Sequence, residues 1–127
     1  MKITTFDPII VTKNGDAAVE TFEAIGFEKT HAPVTETDKG DVQSYRMKHE
    51  NGYHVDVAYS VSNLSQDKTY IRMNVDNFEE AYKILTEHGF RNPRGDQTID
   101  SKSSKAATMI SPSGFTIALV EHVKNKD

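Results

Sequence analysis

The chain contains no cysteine. Disulfides, thiolate metal sites, cysteine nucleophiles and thiol redox chemistry are therefore excluded, an absence that fits a reducing compartment. It also lacks any run of about 18 apolar residues and any basic-then-apolar leader. Neither a membrane span nor a secretion signal is expected, and the expected location is cytoplasmic. Lys and Arg are scattered singly, with no basic stripe, and the formal net charge is −4. A nucleic-acid surface built on phosphate contacts is not expected from that balance, which leaves a small-molecule or protein partner.

What is present is a repeat. Met47-Lys48-His49-Glu50-Asn51-Gly52-Tyr53-His54-Val55-Asp56-Val57 and Met109-Ile110-Ser111-Pro112-Ser113-Gly114-Phe115-Thr116-Ile117-Ala118-Leu119 match in phase without a gap. In each, a Met ends one strand, a polar turn closes on Gly where positive φ is cheap, and an aromatic opens an alternating second strand. A nearly equal shift aligns the stretch ending Ala24-Ile25-Gly26-Phe27 with the one ending Glu87-His88-Gly89-Phe90. At 127 residues, 36% hydrophobic and 27% charged, the chain predicts one globular domain, 1–127, rather than two halves stable alone.

In chain order, the β-branched run Ile3 to Thr12 predicts a strand, with Pro8 pointing to an edge or a strand start. Asp16 is placed to cap a helix whose stripe is Ala17, Val19, Phe22, Glu23 and Ile25, stopped by Gly26. Phe27 to His31 predicts a second strand, and Ala32 to Asp41, with Pro, Gly and charge but no period, predicts an irregular excursion. The hairpin strands Val42 to Lys48 and Tyr53 to Ser60 complete a first module, 1–60. The polar segment 61–68 is the expected linker. In the second module, 69–123, Tyr70 to Val75 alternates strictly and Asp76-Asn77 starts a helix from Phe78 to His88. The run 92–105 is expected to be a loop, with a short strand near Gln97 to Ile99, before the final strands Ala106 to Ile110 and Phe115 to His122.

Two copies of strand, helix, strand, strand, strand, carried by Val19-Glu20-Thr21-Phe22-Glu23-Ala24-Ile25-Gly26-Phe27 and by the turn Ser111-Pro112-Ser113-Gly114-Phe115-Thr116-Ile117, resemble the vicinal oxygen chelate superfamily, which includes glyoxalase I, extradiol dioxygenases and bleomycin-resistance proteins. The resemblance covers nearly the whole chain. It implies an α+β fold in which tandem βαβββ modules form a curved, cup-shaped mixed sheet with helices outside, a homodimer, and an active cup between the halves. It also implies metal positions on the first and last strands of each module. These fall on Asp7 (Phe6 if the turn is aligned without a gap), Asp56, Tyr70 and Ala118. Ala118 offers no ligand atom, Tyr70 binds metal poorly unless ionised near a pKa of about 10, and two aspartates alone hold hard cations weakly. No metal and no cofactor are expected.

Strand alternation identifies what lines the cup instead. With Val55 and Val57 turned toward the helix, His54, Asp56 and Ala58 face the other way, as do Ser44, Arg46 and Lys48 beside Met47. The second module contributes Tyr70, Arg72 and Asn74. The candidate ligand-binding residues are Asp7, Arg46, His54, Asp56, Tyr70, Arg72 and Asn74, a set whose forked cationic donors suit a carboxylate or phosphate on a small ligand. The duller reading is that Arg46 and Arg72 only neutralise Asp56 and Asp7. No catalytic residue is assigned, since His54 as a base requires a substrate proton within reach. His31, His49, His88 and His122 are expected at the surface. Three functions stay open: a metal-independent small-molecule binding protein that takes a polar or anionic ligand, a metal-dependent lyase or isomerase of glyoxalase I type, and a partner-binding module with a filled cup.

Overall fold

The computed structural model describes residues 1–37, 40–60, 64–100 and 103–122. The elements run β1 (Ile3–Thr12), α1 (Gly15–Ala24), β2 (Phe27–His31), β3 (Val34–Thr37), β4 (Gly40–His49), β5 (His54–Tyr59), β6 (Lys68–Val75), α2 (Phe78–Glu87), β7 (Ile99–Asp100), β8 (Ser104–Ile110) and β9 (Thr116–His122). The fold class is α+β, and the chain divides into two compact units, Asp7–Thr69 and Tyr70–Asp127 together with Met1–Phe6. Part of the expected linker, 61–63, lies outside the described residues, and β6 already begins at Lys68. No described helix is long and apolar enough to cross a membrane.

In the unit Asp7–Thr69 the strand path is β2-β4-β5-β1, with β3 also paired to β4. β4 and β5 are antiparallel, Met47 opposite Val55 and Arg46 opposite Asp56, whereas β1 runs parallel to β5 with Ile9 opposite Asp56. The odd residues of β4 and β5 pack under α1: Met47, Val55 and Val57 form a buried cluster with Val19, ringed by Ile10, Ala18, Phe22 and Phe27. Burial of that face, at roughly 1.5–3 kcal/mol for each fully covered aliphatic side chain, holds the helix down. It leaves the even residues Arg46 and Asp56 on the other face.

Three details differ from the sequence reading. The excursion after β2 is ordered as β3, which closes an antiparallel arm on the start of β4 with Val34 opposite Gln43 and Thr35 opposite Val42. Helix α1 starts two residues earlier than an Asp16 cap requires. Asn14 is the N-cap, without a side-chain hydrogen bond, and Asp16 in the first turn instead accepts the Tyr59 hydroxyl. Burial pushes the Tyr59 phenol up from its ordinary value of 10.0, and the Asp16 carboxylate adds to the shift. Gly15 makes this contact possible, because a Cβ there would lie 2.1 Å from Tyr59 Cε1. Finally, the buried stripe of α1 is Gly15, Ala18, Val19 and Phe22, and Ile25 is 60% exposed.

The other unit repeats the plan along β6-β9-β8-β7. β6 runs parallel to β9, with Arg72 opposite Ala118 and Asn74 opposite Val120, and β9 pairs antiparallel with β8, Met109 opposite Ile117. Met73, Val75, Phe78, Ala81, Ala107, Met109, Ile117 and Leu119 make its core. Asn77 caps α2 by accepting from the Glu80 amide at 3.1 Å, and Glu121 accepts from the Phe78 amide at 2.5 Å, so two of the early α2 donors are satisfied by side chains. The Ser111-Pro112-Ser113-Gly114 turn is closed by Ser111 Oγ, which accepts from the Gly114 and Phe115 amides at 3.0 Å each. The short strand expected near Gln97 to Ile99 is found at Ile99–Asp100, on the edge of β8.

The duplication is visible in matched burial. Met47 and Met109 are both fully buried, as are Val57 and Leu119. The two hairpin glycines, Gly52 at φ 93° and Gly114 at φ 108°, take the same left-handed turn.

Candidate functional site

In the unit Asp7–Thr69 the helix-free face carries a buried charged group. Asp56 on β5 is 2% exposed and stands directly opposite Arg46 on β4, with Arg46 Nε 3.4 Å from Asp56 Oδ1. The pair is in ion-pair range but lacks hydrogen-bond alignment. Asp7, two residues before the Ile9 that faces Asp56 across β1, is buried as well. Both carboxylates are in further polar or electrostatic contact with their surroundings, as buried charge requires. His54 is exposed at the start of β5, opposite Lys48, away from the enclosed group. A depression of about 300 Å³ lies over β2 and β4, lined by Gly26, Glu28, Thr30, Lys48, His49 and Glu50, and none of the candidate residues lines it. His49, expected at the surface, is half-buried, its ring edge-on to Phe27 and its Nδ1 accepting from the Asn51 amide.

In the other unit, alternation along β6 puts Tyr70, Arg72 and Asn74 on the face away from α2, with Ile71, Met73 and Val75 behind them in the core. Tyr70 and Arg72 are half-buried and Asn74 is buried. Asn74 Nδ2 lies 3.4 Å from His122 Nε2, and Asn74 Oδ1 is enclosed without a hydrogen-bond partner among the described residues. An unmet buried carbonyl of this kind costs about 1–3 kcal/mol, so its presence needs a reason. His122 is exposed, as the sequence reading expects, but the contact with Asn74 was missed. The signal was available in the alternation of β9, which places Ala118, Val120 and His122 on one face.

The metal positions that the resemblance implies do not form a ligand set among the described residues. Ala118 has no donor, and the residue across from it is the cation Arg72. Asp56 is engaged by Arg46, and no group of three or more His, Cys, Asp or Glu among the described residues is arranged to hold a metal.

The sequence matches no family model and no curated protein. Solved structures do match. Methylmalonyl-CoA epimerase from Mycobacterium tuberculosis superposes with a TM-score of 0.71 at 15% identity, over 96% of this chain and 90% of that one. A glyoxalase/bleomycin resistance protein/dioxygenase superfamily member from Vibrio splendidus gives 0.63 at 12%, over 94% and 99%. The fold is that of the vicinal oxygen chelate superfamily. A glyoxalase I variant from Zea mays matches at 0.67 and 13%, over 98% of this chain but 45% of its own length. At these identities the likeness establishes the vicinal oxygen chelate fold and leaves activity to the residues.

Proposed function

We propose that this vicinal oxygen chelate protein binds a small anionic ligand without a metal. One observation carries the reading. At the last-strand position of each module, where metal-dependent relatives of this fold are expected to carry a ligand, this chain has Asp56 and Ala118, and an arginine is the cross-strand partner of each: Arg46 opposite Asp56 and Arg72 opposite Ala118. A fixed cation in place of a metal still attracts anionic oxygen, and the planar fork suits carboxylate or phosphate. The proposed ligand-binding residues are Asp7, Arg46, His54 and Asp56 in one unit and Tyr70, Arg72 and Asn74 in the other. The proposed setting is a cytoplasmic homodimer with no nucleic-acid partner.

A second reading, in which the charged pair is purely structural, is favoured by the Arg46–Asp56 contact itself, since each charge there already has a partner. A thermal-shift screen separates the two. On the binding reading, carboxylates and phosphates raise the melting temperature of the wild type, and Arg72→Ala abolishes the rise while keeping the fold. Loss of several kcal/mol of stability in Arg72→Ala, with no ligand ever shifting the wild type, leaves the structural reading standing.

A further inference from the structure

The two hairpin turns have the same backbone and differ in the side chain that closes them. The His49 amide donates to the Tyr53 carbonyl and the Gly52 amide to the His49 carbonyl, both at 2.8 Å, as the Ser111 amide donates to the Phe115 carbonyl at 2.8 Å and the Gly114 amide to the Ser111 carbonyl at 3.1 Å. In each turn the first residue also accepts through its side chain. Ser111 Oγ takes the Gly114 and Phe115 amides, whereas His49 Nδ1 takes the Asn51 amide at 3.1 Å. A hydroxyl keeps its lone pairs at any ordinary pH, and an imidazole nitrogen does not. The Asn51 backbone amide can only donate, so its bond exists only while Nδ1 carries no proton. The same bond positions the ring, which lies over Gly26, where a Cβ would come within 2.8 Å of Nε2. There it stands edge-on to Phe27, tilts against Tyr53 and helps to wall the depression of about 300 Å³ over β2 and β4. The equivalent glycine of the other module, Gly89, is covered by Pro112, which does not titrate.

We infer that the β4–β5 turn is a pH-sensitive latch on this depression. Neutral His49 is held over Gly26 by the Asn51 amide; protonation at Nδ1 sets donor against donor, breaks that bond and swings the ring off Gly26. The two backbone bonds of the turn do not involve the ring, so the hairpin stays paired and the change is confined to its tip. The β8–β9 turn, closed by Ser111, does not respond. The charged and titratable groups around the ring are Glu28 on β2, Lys48 and Glu50 on either side of it in the chain, and Tyr53 and His54 at the start of β5. The end of α1 presents only the uncharged Gly26. Protonation also adds a cation to a wall that already holds Lys48 and two carboxylates, so the shape and the charge of the depression change together.

The test is an NMR pH series on the ¹⁵N-labelled full chain, across the range in which imidazoles titrate, about pH 5–8. Ring ¹⁵N shifts report the tautomer and protonation of His49 directly, and the neutral ring should carry its proton on Nε2. The Asn51 amide shift should move with the same midpoint as the His49 ring. Below that midpoint, Asn51 amide exchange, corrected for its intrinsic pH dependence, should quicken about fivefold or more, the effect of losing one hydrogen bond. Cross-relaxation between His49 Hδ2 and the Gly26 Hα protons should fade over the same step, while the Gly114 and Phe115 amides keep their protection. His49→Asn supplies an oxygen that accepts from the amide two residues on and does not titrate, so in that variant the Asn51 amide should stay protected and its shift flat with pH. A neutral ring protonated on Nδ1, an Asn51 midpoint that departs from that of the His49 ring, or a ring that stays against Gly26 once protonated overturns the inference, and these wild-type readings decide it even if the variant does not fold. A step that survives in His49→Asn also overturns it and assigns the response to Glu28, Glu50 or His54.

Discussion

Replacing Arg46 by Met removes the cation from the most enclosed charged group in the unit Asp7–Thr69. At 3.4 Å and an effective dielectric near 20, the attraction between two unit charges is ~5 kcal/mol before desolvation is counted. Two observations reduce that figure. The Arg46 side chain is 29% exposed, so water screens it, and its Nε is not aligned for a hydrogen bond with Asp56. Asp56, by contrast, cannot reach water at 2% exposure, although it keeps other polar contacts. Arg46→Met should therefore cost about 2–3 kcal/mol, somewhat below the 3–5 kcal/mol of breaking a fully buried pair. Asp56→Asn strands a cation that can extend into solvent, and should cost about 1 kcal/mol. In the double variant no buried charge is left alone, so its cost should fall short of the sum by about 1 kcal/mol or more. Urea unfolding followed by circular dichroism measures all three, provided the slope with denaturant is unchanged. Additive costs, or an Arg46→Met variant as stable as the wild type, would refute the electrostatic account of this face.

Three further outcomes follow from the same packing and charge arrangement. Val57→Ala and Leu119→Ala remove fully buried aliphatic groups at equivalent positions and should each cost about 2–4 kcal/mol in urea unfolding; equal tolerance of Asp at either position would mean the helix-facing side of the sheet is misassigned. Tyr59 holds its proton to higher pH when folded than its ordinary 10.0, so the folded state binds more protons and this contribution is full below pH 10 and declines as pH rises above it. Tyr59→Phe should flatten that alkaline decline in a stability-versus-pH series, and an unchanged slope would contradict the assignment. Calorimetric titration with Zn²⁺ or Ni²⁺ should reveal no site tighter than about 10 µM, the weak range of a carboxylate-only set; a stoichiometric nanomolar site would contradict the ligand argument.

The strands that bury one face were legible because alternation is a direct consequence of burial. Met47, Val55 and Val57, and again Met73, Val75 and Leu119, fall where the period places them. β3 was not legible for the complementary reason. Val34 is 54% exposed, so it carries no signal of burial, and the strand is defined by backbone pairing to β4. The start of α1 was misplaced by two residues because Asn14 and Asp16 are both good capping residues, and the choice is made by Tyr59, which is 43 residues away from Asp16 and draws off its carboxylate. The Arg46–Asp56 rung could be anticipated because a short hairpin fixes its register. The Asn74–His122 contact was only half legible: alternation along β9 puts His122 on the face of Ala118 and Val120, but bringing it to Asn74 depends on the parallel register of β6 with β9, set across 48 residues.

Native mass spectrometry of the freshly purified protein tests the central claim, an anion held by guanidinium groups where metal-dependent relatives of the fold would bind metal. Together with titration of a carboxylate and phosphate panel into the same sample, it reads metal, retained ligand and subunit count in one spectrum. The account predicts a metal-free polypeptide that carries or takes up an anionic small molecule with saturable stoichiometry, and an Arg72→Ala variant of unchanged fold that does not. A stoichiometric divalent metal in the purified protein, or a wild type that forms no anion adduct across the panel, would contradict it.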